Sequence, residues 1–111
     1  MEIQEDKRGD ITVLSLAGRL DTNTSGSLEQ KLIEALDDGV TKFIVDFTQL
    51  DYISSSGLRI LLMAAKKLKE INGALVLSSL SAHVKEVFDI AGFTPIFTLA
   101  SSLDEAVAGI A

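Results

Sequence analysis

The chain has no cysteine, which removes disulfides, thiol catalysis and cysteine-ligated zinc together and suits a reducing compartment. With a single histidine as well, neither a metal site nor a cofactor is expected. Basic residues are the minority: 10 Lys and Arg stand against 16 Asp and Glu, for a net charge of −6. Five Phe, one Tyr and no Trp leave little for base stacking, so a nucleic-acid partner is excluded on charge and on aromatics. Long apolar runs are missing too. The longest, Ile60 to Ala65, is far too short to span a bilayer, and Met1-Glu-Ile-Gln-Glu-Asp6 has neither the basic nor the apolar region of an export signal. No membrane partner is expected, and the expected location is the cytoplasm.

What is present is an ordinary globular composition, 47% hydrophobic and 23% charged, in 111 residues, which predicts one domain over 1–111 with a core of its own. Met1 to Lys7 carries apolar residues on one alternating face only and runs into the turn signal Arg8-Gly9-Asp10, so it predicts a polar edge strand in a hairpin. Ile11 to Ala17 is apolar on both faces, as an interior strand is. Gly18 to Thr24 reads as a loop, and Leu28, Leu32, Ala35 and Leu36 trace one face of a helix ending near Gly39.

The same rhythm continues to the end. Phe43 to Phe47 is a buried strand, Asp51 to Gly57 a loop, and Leu58, Leu61, Leu62, Ala65 and Leu68 mark a helix stopped by Asn72-Gly73. Ala74 to Leu77 is a short strand; Ser81 caps a helix carrying Val84, Val87, Phe88 and Ala91. Pro95 precedes a last strand, Ile96 to Leu99. Ser101 and Ser102, each followed three residues on by an acid, open a final helix. The order β-β-α-β-α-β-α-β-α predicts an α/β domain, a mainly parallel sheet with right-handed crossovers and an antiparallel N-terminal edge hairpin. Ligands and partners of such sheets meet the loops beyond the carboxyl ends of the strands, which puts Asp21 and Ser55 on one face.

Function concentrates at Ser54-Ser55-Ser56-Gly57, where a strand hands over to a helix. Capping the helix needs one hydroxyl and leaves two to explain. A hydrolase nucleophile at Ser55 would use Gly57 as the second glycine of a G-x-S-x-G elbow, but Ile53 stands where the first belongs. His83, the sole histidine, starts a different helix and reads as a solvated residue; no catalytic residue and no enzyme activity are expected. Asp37 with Asp38, and Asp46 with Asp51, read as turn, cap and solvation. Arg59, Lys66, Lys67 and Lys69 do not form a single stripe and read as a solvated face, with Arg59 the nearest of them to the serines.

Gly18-Arg-Leu-Asp21, Ile44-Val-Asp46, Leu50-Asp-Tyr-Ile-Ser-Ser-Ser-Gly57-Leu58, Asn72-Gly73 and Val84 to Phe93 together resemble the STAS domain of bacterial anti-sigma factor antagonists, over essentially the whole chain. The family's segment reads Asp-Ser-Ser-Gly-Leu or a close variant; this chain departs from it at Ser54, where Asp is common. The resemblance implies a phosphoacceptor two residues before the glycine, Ser55, with Ser54 and Ser56 as alternatives. It further implies a partner-binding face made of Asp21, Thr22, Asn23, Ser54, Ser55, Ser56, Gly57 and Arg59. The implied function is partner switching: the chain docks on an anti-sigma factor that is a serine/threonine kinase, frees a sigma factor, is released by phosphorylation, and is restored by a PP2C-type phosphatase. The alternative is a STAS adaptor, never phosphorylated, in a transport, stressosome or other signalling assembly. Net acidity leads to the expectation of a basic face on the partner.

Overall fold

In the computed structural model, which describes residues 1–110, ten elements follow the expected order. Strands β1 (Glu2–Arg8) and β2 (Ile11–Leu20) form the hairpin, turned through Gly9 and Asp10 with Gly9 at φ +64°. Then come α1 (Ser25–Asp37), β3 (Lys42–Ile53), α2 (Ser55–Glu70), β4 (Ala74–Ser78), α3 (Ala82–Ile90), a 3₁₀ turn (Thr94–Ile96), β5 (Thr98–Ala100) and α4 (Leu103–Ile110). The sheet order is β1-β2-β3-β4-β5, antiparallel at β1/β2 and parallel in the other three pairs.

Both faces of the central strands are apolar, and each face has a cover. Leu14, Leu16, Phe43, Val45 and Phe47 point to the side packed by α1, α2 and α3, where Phe88 meets Phe47 edge-on at 6.2 Å between ring centroids. Ile11, Val13, Ile44 and Val76 point to the other side, against Ala106 and Ile110 of α4. That helix has only two turns, so it covers only the lower half of its face. Above it the apolar pattern yields to a polar row in register, Ser15, Asp46 and Ser78. The Asp46 carboxylate is saturated there: it accepts from the Ser15 and Ser78 hydroxyls at 3.5 and 3.4 Å and from the Thr48 N–H and hydroxyl at 3.1 and 2.6 Å. Asp46 thus ends the apolar layer, a larger role than a turn or cap.

Three boundaries differ from the sequence reading. Gly18 to Leu20 belong to β2 and Leu50 to Ile53 to β3, because the two segments pair with each other beyond Ala17, where pairing with β1 stops, and beyond Asp46, where pairing with β4 stops. They form a two-stranded ribbon that rises beyond the rest of the sheet, so the two expected loops shrink to Asp21–Thr24 and the single residue Ser54. Pro95 lies within the 3₁₀ turn that Thr94 opens, and the last strand starts two residues later than expected, at Thr98. At the Asn72-Gly73 stop, Asn72 takes the left-handed conformation at φ +56°. Gly73 serves close approach: a Cβ there would lie 2.5 Å from the Thr41 carbonyl oxygen.

Candidate functional site

The ribbon delivers two short connections to one pole. Asp21 to Thr24 follow its β2 strand and Ser54 follows its β3 strand, tied across by the Ser54 N–H donating to the Leu20 carbonyl at 2.9 Å. Thr22 Oγ1 and Ser56 Oγ then lie 3.2 Å apart, joining the two connections directly. The pairing of two parallel strands therefore places residues 34 positions apart in the chain within hydrogen-bond distance.

The three serines are not equivalent. Ser54, extended at φ −99° and ψ 173°, is the N-cap; its Oγ accepts from the Gly57 N–H at 3.4 Å and its carbonyl accepts the first helical bond, from Leu58 N–H at 3.0 Å. Ser56 is half-buried against Thr22. Ser55 is exposed, and among the described residues its hydroxyl has no hydrogen-bond partner. Gly57 sets their height. A Cβ on it would lie 2.7 Å from Leu20 Cγ and 3.0 Å from Ile53 Cγ1, so the first turn of α2 rests directly on the two ribbon strands.

The adjoining loop is built around one carboxylate. Asp21 Oδ1 accepts from the N–H groups of Asn23 and Thr24 at 3.0 and 3.2 Å. Thr24 Oγ1 donates to the Arg19 carbonyl at 2.8 Å and accepts from the Asp21 N–H at 2.9 Å. Asp21 therefore shapes the loop, while Thr22 and Asn23 are its exposed residues. Arg59, exposed, lies one turn along α2. His83 is exposed on α3 and makes no side-chain hydrogen bond among the described residues, so no hydroxyl of the cluster has a base oriented toward it. No group of three His, Cys, Asp or Glu able to hold a metal occurs among the described residues.

Two residues of this pole escaped the sequence reading. The Arg19 guanidinium lies 4.1 Å from the centroid of the Tyr52 ring, on the ribbon face that α4 does not reach, with Arg19 Nε 3.9 Å from Asp21 Oδ2. Alternation was the available signal: Leu20, Leu50 and Ile53 are apolar and buried, and Arg19 and Tyr52 are their neighbours in sequence.

Fold and site together define a small α/β domain that holds a hydroxyl-bearing helix start at the carboxyl end of a mixed sheet. The chain belongs to the STAS domain family, whose model matches residues 2–106. It is 40% identical over 108 residues, 97% of this chain and 93% of the other, to the Bordetella bronchiseptica protein BtrV, provisionally assigned as an anti-sigma factor antagonist. Its fold matches a Thermotoga maritima protein, provisionally assigned as an anti-sigma factor antagonist, with a TM-score of 0.93 at 16% identity, covering 97% of this chain and 93% of that one. It also matches the Bacillus cell fate determinant SpoIIAA, solved in a phosphorylated form, with a TM-score of 0.79 at 24% identity, covering 99% and 100% of the two chains. No helix of the described residues is long and apolar enough to cross a membrane.

Proposed function

We propose that this chain is an anti-sigma factor antagonist that works by partner switching, with Ser55 as its phosphoacceptor. The observation that carries the reading is the division of labour among the serines: Ser54 caps α2, Ser56 is engaged by Thr22, and the Ser55 hydroxyl is exposed and unengaged. The names of the relatives support the same function.

In this reading the unphosphorylated pole, with Thr22, Asn23, Ser55 and Arg59 at its surface, docks on an anti-sigma factor that is also a serine/threonine kinase and so frees a sigma factor. The chemistry belongs to the partners: the kinase transfers the phosphoryl group and a PP2C-type phosphatase removes it. Phosphorylation adds about −1.5 to −2 charges at the N-terminus of α2. The helix end tolerates that charge, whereas a packed interface must strip it of water, so the complex fails and the domain survives.

The test is intact-mass analysis after incubation with ATP and the serine kinase of histidine-kinase fold encoded nearest to this chain in its own genome. One phosphate on the parent protein, and none on Ser55→Ala, is the expected result. Stoichiometric phosphate on Ser55→Ala would move the acceptor to Ser54 or Ser56. No phosphate on the parent would end the switching reading.

A further inference from the structure

The exposed face of α2 carries a pattern of charge that helix stability does not explain. Six of the ten basic side chains, Lys7, Arg8, Arg19, Lys31, Lys42 and Lys85, lie within ion-pair distance of a carboxylate. The other four are Arg59, Lys66, Lys67 and Lys69, and among the described residues none has an ion-pair partner. All four are on α2, in a chain where acids outnumber bases, and the acids of α2 amount to Glu70 in its last position.

Ser55, Arg59, Leu62, Lys66 and Lys69 follow one another at intervals of four, three, four and three, which sets them in one line along the helix. At roughly 1.5 Å per residue the line is about 21 Å long. Leu62 is half-buried and the other four are exposed. Lys67 is off the line and faces a groove toward α1, beside Ile33 and Asp37. Lys67 and Lys69 stand in the last turn, where a cation complements the helix dipole. Arg59 has no such reason. It sits in the second turn, near the positive end of the dipole, of a helix with no acid in its first turn.

We propose that this line is a cationic docking strip for an acidic surface of the partner protein, with Arg59, Lys66 and Lys69 taking its carboxylates and Leu62 taking an apolar side chain between them. The inference rests on the docking role given to this pole above, and it reverses the sign of the partner's face expected from the net charge of −6. Arg is enriched among the anchors of such contacts and pairs bidentately with carboxylates. The strip also connects docking to the switch. Ser55 stands at its head, four residues from Arg59 on the same face, so a phosphate there occupies Arg59 and repels the incoming carboxylates.

The test is titration calorimetry against the serine kinase of histidine-kinase fold encoded nearest to this chain, without ATP and at two salt concentrations. Arg59→Glu and Lys66→Glu should each weaken binding about tenfold or more, with a shallower salt dependence, while Lys67→Glu, the same change of charge off the line, should leave it unaltered. Arg59→Glu moves a carboxylate toward the positive end of the dipole, so its melting temperature should hold or rise and loss of binding is not loss of fold. Unchanged or tighter binding by Arg59→Glu and Lys66→Glu, in a parent that binds and is phosphorylated, overturns the strip and leaves the switching reading standing. A parent that neither binds nor is phosphorylated overturns both. Self-association of the parent that Lys66→Glu abolishes assigns the strip to a second copy of the chain and overturns the acidic partner.

Discussion

The N-termini of α2 and α4 are the instructive pair, because both begin in serines and only one uses them up. At α4, Ser102 Oγ accepts from the Glu105 N–H at 3.1 Å, Ser101 Oγ donates to the Glu105 carboxylate at 2.5 Å, and Asp104 and Glu105 supply the acids of the first turn. Every hydroxyl has a structural task. At α2 the cap is longer at 3.4 Å, the first turn holds no acid, and one serine of three is without a partner. A helix start built for stability resembles α4. The α2 start gives up a favourable charge and keeps a free hydroxyl in the open, and the difference between the two measures what the site reserves for function.

The largest expected effect separates the two ends by binding. Ser55→Asp should weaken the complex with the anti-sigma kinase by about 100-fold or more, since an unpaired carboxylate at a packed interface costs several kcal/mol. Ser101→Asp, an equal change at α4, should leave the affinity within a factor of two or so; Ser55→Asp should melt near the parent, while Ser101→Asp, which sets a second carboxylate against Glu105, should melt somewhat lower. Equal losses at both ends would erase the distinction.

Next comes packing. Gly57→Ala should cost about 1–3 kcal/mol in chemical denaturation, because its Cβ collides with Leu20 and Ile53. Gly26→Ala, in the first turn of α1 where a Cβ meets nothing within 4 Å, should instead stabilise by about 0.4–1 kcal/mol. A neutral Gly57→Ala would mean that α2 is not seated on the ribbon as described.

The caps give a smaller contrast. Ser54→Ala and Ser102→Ala should each lose about 0.5–2 kcal/mol, and Ser55→Ala less than about 0.5 kcal/mol, read from urea midpoints. If Ser55→Ala proved as costly as Ser54→Ala, the free hydroxyl would have a structural task after all.

The smallest effect lies away from both helices. The Thr94 hydroxyl and then the Lys85 ammonium hold the Asp89 carboxyl below its ordinary range at the end of α3. A depressed carboxylate adds stability that is present above its unfolded value and is lost as pH falls through the folded one. The acid limb below about pH 4 should therefore flatten slightly in Asp89→Asn, as thermal melts from pH 6 to pH 2 would show.

Element order and the caps at Ser81 and Ser102 were legible in the sequence because they depend on local period and on hydroxyls three residues before an N–H. The ribbon was not. Arg19 and Asp51 are polar and Gly18 looks like a turn, yet these residues are strand because each segment supplies the other's partner, a long-range fact. The loop carries a second role: Asp21, expected from the resemblance and from its loop position on the partner-binding face, also holds the loop together, its carboxylate accepting from Asn23 and Thr24. Its reversal to Lys should therefore cost stability as well as altering the face. The stripe on α2 was underrated for a similar reason. Lys67 obscures it in the sequence, being as exposed and as unpaired as Arg59, Lys66 and Lys69, and only its place in the groove toward α1 sets it apart from them.

The Arg19–Tyr52 stack has a practical consequence for following this pole in solution. Tyr52 is the chain's one tyrosine and there is no tryptophan, so essentially all ultraviolet emission excited near 280 nm comes from a ring 4.1 Å from a guanidinium and three residues before Ser55. Nature has placed an optical probe beside the proposed switch without any labelling, and its quantum yield and lifetime register what happens there while the rest of the molecule stays dark.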